Sequence, residues 1–292
     1  MIASLYICCK SFLHNGIDSD REVEMKLFTF GDLFDRVSKM SDNKFHLNNE
    51  NFLDTVLLSD GTTILDIISN KRRIQQDCLI LFLKAFKNCK KNKLTFSELL
   101  EYLELEDCNN CNALIVLNHI DDLPKNRQIL SNYTEWVKFR RIYLGKYPKN
   151  PEFFLSECRK YYDKLIIHED NIRSSRNVLE THSQTIVIYL GYLNDHLIDE
   201  YKASAPDFIG FLNYFATKYG IDEASFEGSK ESVFYFTFNI EGTPINAYCE
   251  PHLKMYKDDA GNQNQHCRIY FQKPDTSKGD CPIYVGFIGK HL

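Results

Sequence analysis

No run of apolar residues in this sequence approaches the ~18 that a membrane-spanning helix requires, so a span of that kind is not expected. Positive charge is not in excess either: 35 Lys and Arg face 40 Asp and Glu, for a net charge of −5. Coating nucleic acid without regard to sequence needs a basic surface, and this balance argues against it. The chain also lacks a Gly-rich phosphate loop, a dinucleotide fingerprint, a serine-nucleophile elbow and an H-E-x-x-H pair. That weighs against the common nucleotide-dependent and hydrolase folds. Cys108-x2-Cys111 has no second pair to complete a structural zinc site. No metal and no cofactor are expected.

What is present fits an ordinary globular protein, with 43% hydrophobic and 26% charged residues over 292 positions, enough for two domains. The ten cysteines are scattered through a chain that needs no disulfide framework. Ile2–Cys9 is apolar but short and has no basic segment before it. A cytoplasmic protein with reduced thiols and no membrane partner is the expectation. Residues 1–24 read as an extension outside the core, and 25–203 read as a helical domain. Within it, Thr95-Phe96-Ser97-Glu98 is a capping box, and Asn150-Pro151 supplies an N-cap and an N1 proline. A local basic face is expected from Lys71-Arg72-Arg73, from Lys84 through Lys93, and from Lys138, Arg140, Arg141, Lys146 and Lys149. Lys202–Pro206 is the expected boundary.

Residues 204–292 read as an α+β domain, one helix on about four antiparallel strands. Asp207–Tyr219 carries Phe208, Phe211, Leu212, Phe215 and Tyr219 on one face and ends at Gly220. Side chains alternate along a strand. Glu250, His252 and Lys254 therefore share a face, as do His266, Arg268, Tyr270 and Gln272 on the next strand. Cys267, Ile269, Phe271, Ile283, Val285 and Phe287 point to the opposite, apolar side, with Phe234, Phe236 and Phe238. Lys290 and His291 follow the last strand.

A polar face of this composition holds the parts for metal-free RNA cleavage. His252 and Glu250 would serve as the acid/base pair, with Lys254, Arg268 and Lys290 stabilising charge on phosphorus. Tyr235, Tyr270 and Tyr284 would stack bases, with His266 and His291 as further substrate contacts. On a solvent-facing surface, replacing His252 or Arg268 by Ala should cost on the order of 0.5 kcal/mol.

The segments Tyr248–Lys254, Arg268–Phe271 and Ile288–Leu292 resemble the basic strands of RelE-type messenger-RNA interferases, and the helix ahead of an antiparallel sheet resembles the small-ribonuclease architecture that these share with barnase. The resemblance implies a toxin- or defence-like bacterial protein whose C-terminal domain is a metal-independent endoribonuclease. Its partners would be RNA and a protein such as an antitoxin. The alternative is a non-enzymatic interaction module whose C-terminal sheet binds a protein or a small ligand.

Overall fold

The computed structural model describes the chain except residues 49–50, 71–73, 122, 124–126, 205–206, 264–265 and 276–281. Lys71-Arg72-Arg73 and the Ala205-Pro206 part of the expected boundary lie outside the described residues. The fold is mixed α and β with several sheets. It divides into two compact units, Met1–Phe139 and Arg140–Leu292, rather than at 203/204.

The N-terminal unit alternates strands and helices: β1 (Ile2–Ile7), α1 (Asp20–Ser38), β2 (Asn43–Asn48), α2 (Ile64–Ser69), α3 (Gln76–Asn88), β3 (Lys90–Asn92), α4 (Phe96–Glu104), β4 (Asn110–Ile115), β5 (Ile129–Leu130) and the start of α5 (Tyr133–Lys146). The strands form one parallel sheet in the order β3-β2-β1-β4-β5. Residues 2–7, expected to lie in an extension, are thus its central strand. A helical domain over 25–203 is likewise corrected, because the helices of this unit are connections between parallel strands. The reason is burial on both faces: Leu5 and Ile7 pair in register with Phe45 and Leu47, and Phe45 packs 4.3 Å from Phe34 of α1. On the other side, Tyr6 and Cys8 cluster with Leu99 and Leu103 of α4 and with Leu114 of β4. A strand covered on both sides shows no alternation of polar and apolar residues.

The helices start where local chemistry dictates. Ser19, Thr63 and Thr95 each accept a backbone N–H three residues on, and Glu22, Asp66 and Glu98 return the bond, completing three capping boxes.

The C-terminal unit holds the end of α5, then α6 (Pro151–Tyr161), β6 (Leu165–Ile167), α7 (Asn171–Ser174), α8 (Arg176–Ser204), α9 (Phe208–Tyr219), β7 (Glu223–Ser225), β8 (Tyr235–Ile240), β9 (Thr243–Tyr248), β10 (His252–Met255), β11 (Cys267–Phe271) and β12 (Ile283–Gly289). Its main sheet has five strands, in the order β6-β12-β11-β10-β7, with β6 parallel to β12 and the other pairs antiparallel. Strands β8 and β9 form a separate hairpin. The strand expected to carry Glu250, His252 and Lys254 on one face begins only after Glu250: Tyr248 ends β9, Pro251 lacks the N–H a ladder needs, and His252 begins β10. Helix α8 packs on β11 and β12, while α9, capped by Gly220 at φ 64°, packs on α8 and β7. Asp259, between β10 and β11, accepts the N–H groups of Gln184 and Thr185 within α8.

The basic face expected from the α5 cations loses its two arginines, while Lys138 and Lys146 are exposed. Arg140 bonds Tyr161 and Glu157 in the interior, and Arg141 bonds Asp195 and the carbonyl of Tyr161. Lys84 pairs with Asp35.

Candidate functional site

The strand order defines where a doubly wound sheet accepts a ligand. From β1 the chain steps outward through β2 to β3, then crosses back through α4 to place β4 on the other side of β1. Ligands of such sheets bind beyond the carboxyl ends of the strands, at this reversal. A cavity of about 550 Å³ lies at the carboxyl ends of β1, β2 and β3, walled by Lys10 after β1, Asn51 after β2, Asn92 at the end of β3 and Lys93 to Phe96 beyond it, within the volume range of small-molecule pockets.

Its lining carries two cations, Lys10 and Lys93, and no carboxylate among the described residues. The Lys10 ammonium rests 4.3 Å from the centroid of the Phe96 ring. The Asn92 carboxamide oxygen accepts the N–H of Leu94 at 3.2 Å, while its amide nitrogen is buried with no acceptor among the described residues. Glu98 takes the N–H of Thr95 in the capping box, so the lysines, rather than the first turn of α4, supply the positive potential. A neutral or anionic ligand fits this wall and a cation does not. Sequence inspection missed these residues because they lie far apart along the chain. The available signal was positional: Lys10, Asn51 and Lys93 each lie just beyond the carboxyl end of a strand of the parallel sheet.

The C-terminal face differs from its expected form. Register puts His252 opposite Tyr270 and Lys254 opposite Arg268, so these four share one side of the sheet. That side is not open. Phe234 stacks on Tyr270 at 5.9 Å, and the His252 ring also stacks on Tyr270, at 4.6 Å. Phe236 occupies the space a side chain at Gly286 would need, since a Cβ there would lie 2.5 Å from its ring. Phe287, expected on the apolar side, meets Tyr270 edge-on at 5.8 Å. A register shift between Tyr270 and Phe271 changes the alternation along β12, so Ile288 rather than Phe287 joins Val285 on the core side.

The expected acid/base pair is not assembled. The Glu250 carboxylate is 2% exposed and accepts the N–H groups of Glu227 and Gly228 at 2.9 and 3.0 Å. It holds a turn. His252 is 7% exposed, and its Nδ1 lies 3.0 Å from the main-chain carbonyl of Glu250, not from the carboxylate. Burial, with Lys254 and Arg268 nearby, lowers the His252 pKa and favours the neutral ring.

Lys254 is paired with Glu223, which also accepts from Tyr256 and Ser225. These bonds hold the Glu223 carboxyl at about 2. Its folded pKa is depressed, so this contribution to stability is full above the unfolded value near 4.3 and is lost as pH falls toward about 2. Arg268 keeps two buried nitrogens, Nε and Nη1, with no partner among the described residues.

The remaining candidates scatter. Tyr284 is buried against Phe238, with ring centroids 4.8 Å apart. Tyr235 is 55% exposed on the hairpin, beside Tyr248. His266 is exposed and meets Tyr256 edge-on, and Lys290 and His291 are exposed beyond β12. The two cysteines of the C-x2-C pair part company: Cys108 is exposed, and Cys111 is buried in β4. No helix among the described residues is long and apolar enough to cross a membrane. Comparison with protein-family models, curated proteins and solved structures finds no match to this chain.

Proposed function

We propose that the protein binds an anionic small molecule through its N-terminal unit, in the crevice at the carboxyl edge of the parallel sheet. The observation that carries this reading is a roughly 550 Å³ cavity at the carboxyl ends of three parallel strands whose wall has two lysines and no described carboxylate. The crevice lies on loops held by a rigid sheet, the usual place for binding residues. The test is calorimetric titration of the full chain with pyrophosphate and, separately, citrate. A Lys10→Glu/Lys93→Glu double variant should keep its circular dichroism and bind the anion at least roughly tenfold more weakly, about 1.4 kcal/mol. Equal binding by both proteins, or no binding of any anion, would sink the reading.

A second reading keeps RNA cleavage on the C-terminal unit, favoured by the unpartnered nitrogens of Arg268 beside a His252 held toward its neutral form. In this reading Phe234 must move off the sheet before Arg268 contacts phosphate and His252 acts as the base, while Glu250 is structural. Arg268→Ala should leave the fold intact and reduce cleavage by roughly a hundredfold, the scale of losing one electrostatic donor. Glu250→Ala should instead cost about 1–3 kcal/mol of stability by stranding two N–H groups. His252→Ala, first expected to cost little, removes a buried stacked ring and should cost more than the surface value. Expression in bacteria with sequencing of RNA ends checks the activity; a fully active Arg268→Ala protein would end this reading.

A further inference from the structure

We infer that the ligand of the N-terminal crevice is a mononucleotide, with its phosphate between Lys10 and Lys93 and its base on the Phe96 ring. The inference rests on the proposed anion site and adds the identity of the uncharged part of the ligand.

Three features of the wall carry it. Phe96 supplies an aromatic face in a lining that also holds Lys10, Lys93, Asn51 and Asn92, beside apolar Leu94 and Leu99. That face holds the Lys10 ammonium at 4.3 Å, so the flexible lysine can reach a phosphate one sugar away from a base seated on the ring. When a nucleotide binds, the ammonium exchanges a weak contact with a ring for a charge-assisted bond to phosphate. The base takes the place it leaves, and base–aromatic stacking tolerates any base.

Asn92 is the third feature. Its oxygen is fixed by the Leu94 N–H, which orients the amide nitrogen as a donor that lacks an acceptor among the described residues. A phosphate oxygen or a base carbonyl that reaches this nitrogen supplies one, and an aliphatic acid would not stack on the ring. The Gly-rich loop of dinucleotide sites is absent between β1 and α1: Cys8-Cys9-Lys10-Ser11-Phe12 follows β1 and forms a short 3-10 turn. Side chains at these positions bar the backbone approach to a pyrophosphate that such glycines allow. Lysine side chains must then hold the phosphate, which favours one nucleotide over two.

Titration of the full chain with AMP, ADP, pyrophosphate and ribose 5-phosphate tests this. The inference expects ADP to bind at least roughly tenfold more tightly than pyrophosphate. Phe96→Leu, which retains apolar bulk, should remove that difference and leave pyrophosphate binding unchanged, and Phe96→Trp should keep it. If pyrophosphate and ADP bind equally, or if Phe96→Leu leaves their ratio unaltered, the nucleotide inference fails while the anion site stands. If neither binds, both fail.

Discussion

Replacing Arg140 by Ala is expected to lower the stability of the C-terminal unit by about 3–5 kcal/mol, the range for removing one partner of a buried ion pair. Arg140 is 0% exposed; its Nε donates to the Tyr161 hydroxyl at 2.7 Å and its Nη2 to Glu157 at 3.3 Å. Without the guanidinium, the Glu157 carboxylate stays buried and depends on Lys160, whose side chain is 45% exposed, for compensation. The Arg140→Met/Glu157→Leu double variant should recover most of the loss, since apolar residues of similar volume often replace a buried pair at little cost. Urea unfolding followed by circular dichroism measures both. A loss under about 1 kcal/mol for Arg140→Ala would show that the pair is solvated, and the burial argument would fall.

The second large effect concerns β1. Leu5→Ala should cost about 2–5 kcal/mol, because it removes a fully buried side chain and leaves a cavity. Leu5 is 0% exposed and lies between Phe45 of β2 and Ala113 of β4 in register. The fluorescence of Trp136, the one tryptophan of the chain and buried in this unit, gives the readout. Ile17→Ala, at an exposed position, serves as the control and should change little. A Leu5→Ala protein as stable as the parent would return residues 1–24 to the status of an extension.

Both effects arise at residues whose role is hidden along the chain. Arg140 reads as one of a run of cations, and its partner Glu157 lies on another helix. Leu5 sits in a short apolar stretch with no turn residues to mark it as a strand. By contrast, features set within four residues are legible directly: the Thr95/Glu98 capping box, the Asn150-Pro151 start of α6 and the left-handed Gly220 after α9 are all present. Strand alternation, also local, assigned His252, Lys254, Arg268 and Tyr270 to one face. It stopped short at Phe287, because a bulge slips the register by one residue and exchanges the faces.

The amino-acid sequence by itself determined the helix ends, the apolar stripe of α9 and the alternation of β10 and β11, since each depends on hydrogen bonds or periodicity over a few neighbours. Tertiary structure alone decided which strands are parallel and covered on both sides, and that Phe234 and Phe236 cover the polar face. It alone gathered Lys10, Asn51, Asn92 and Phe96 around one crevice. These outcomes depend on contacts between segments tens of residues apart, whose pairing is chosen by the burial of the whole apolar surface rather than by any local preference.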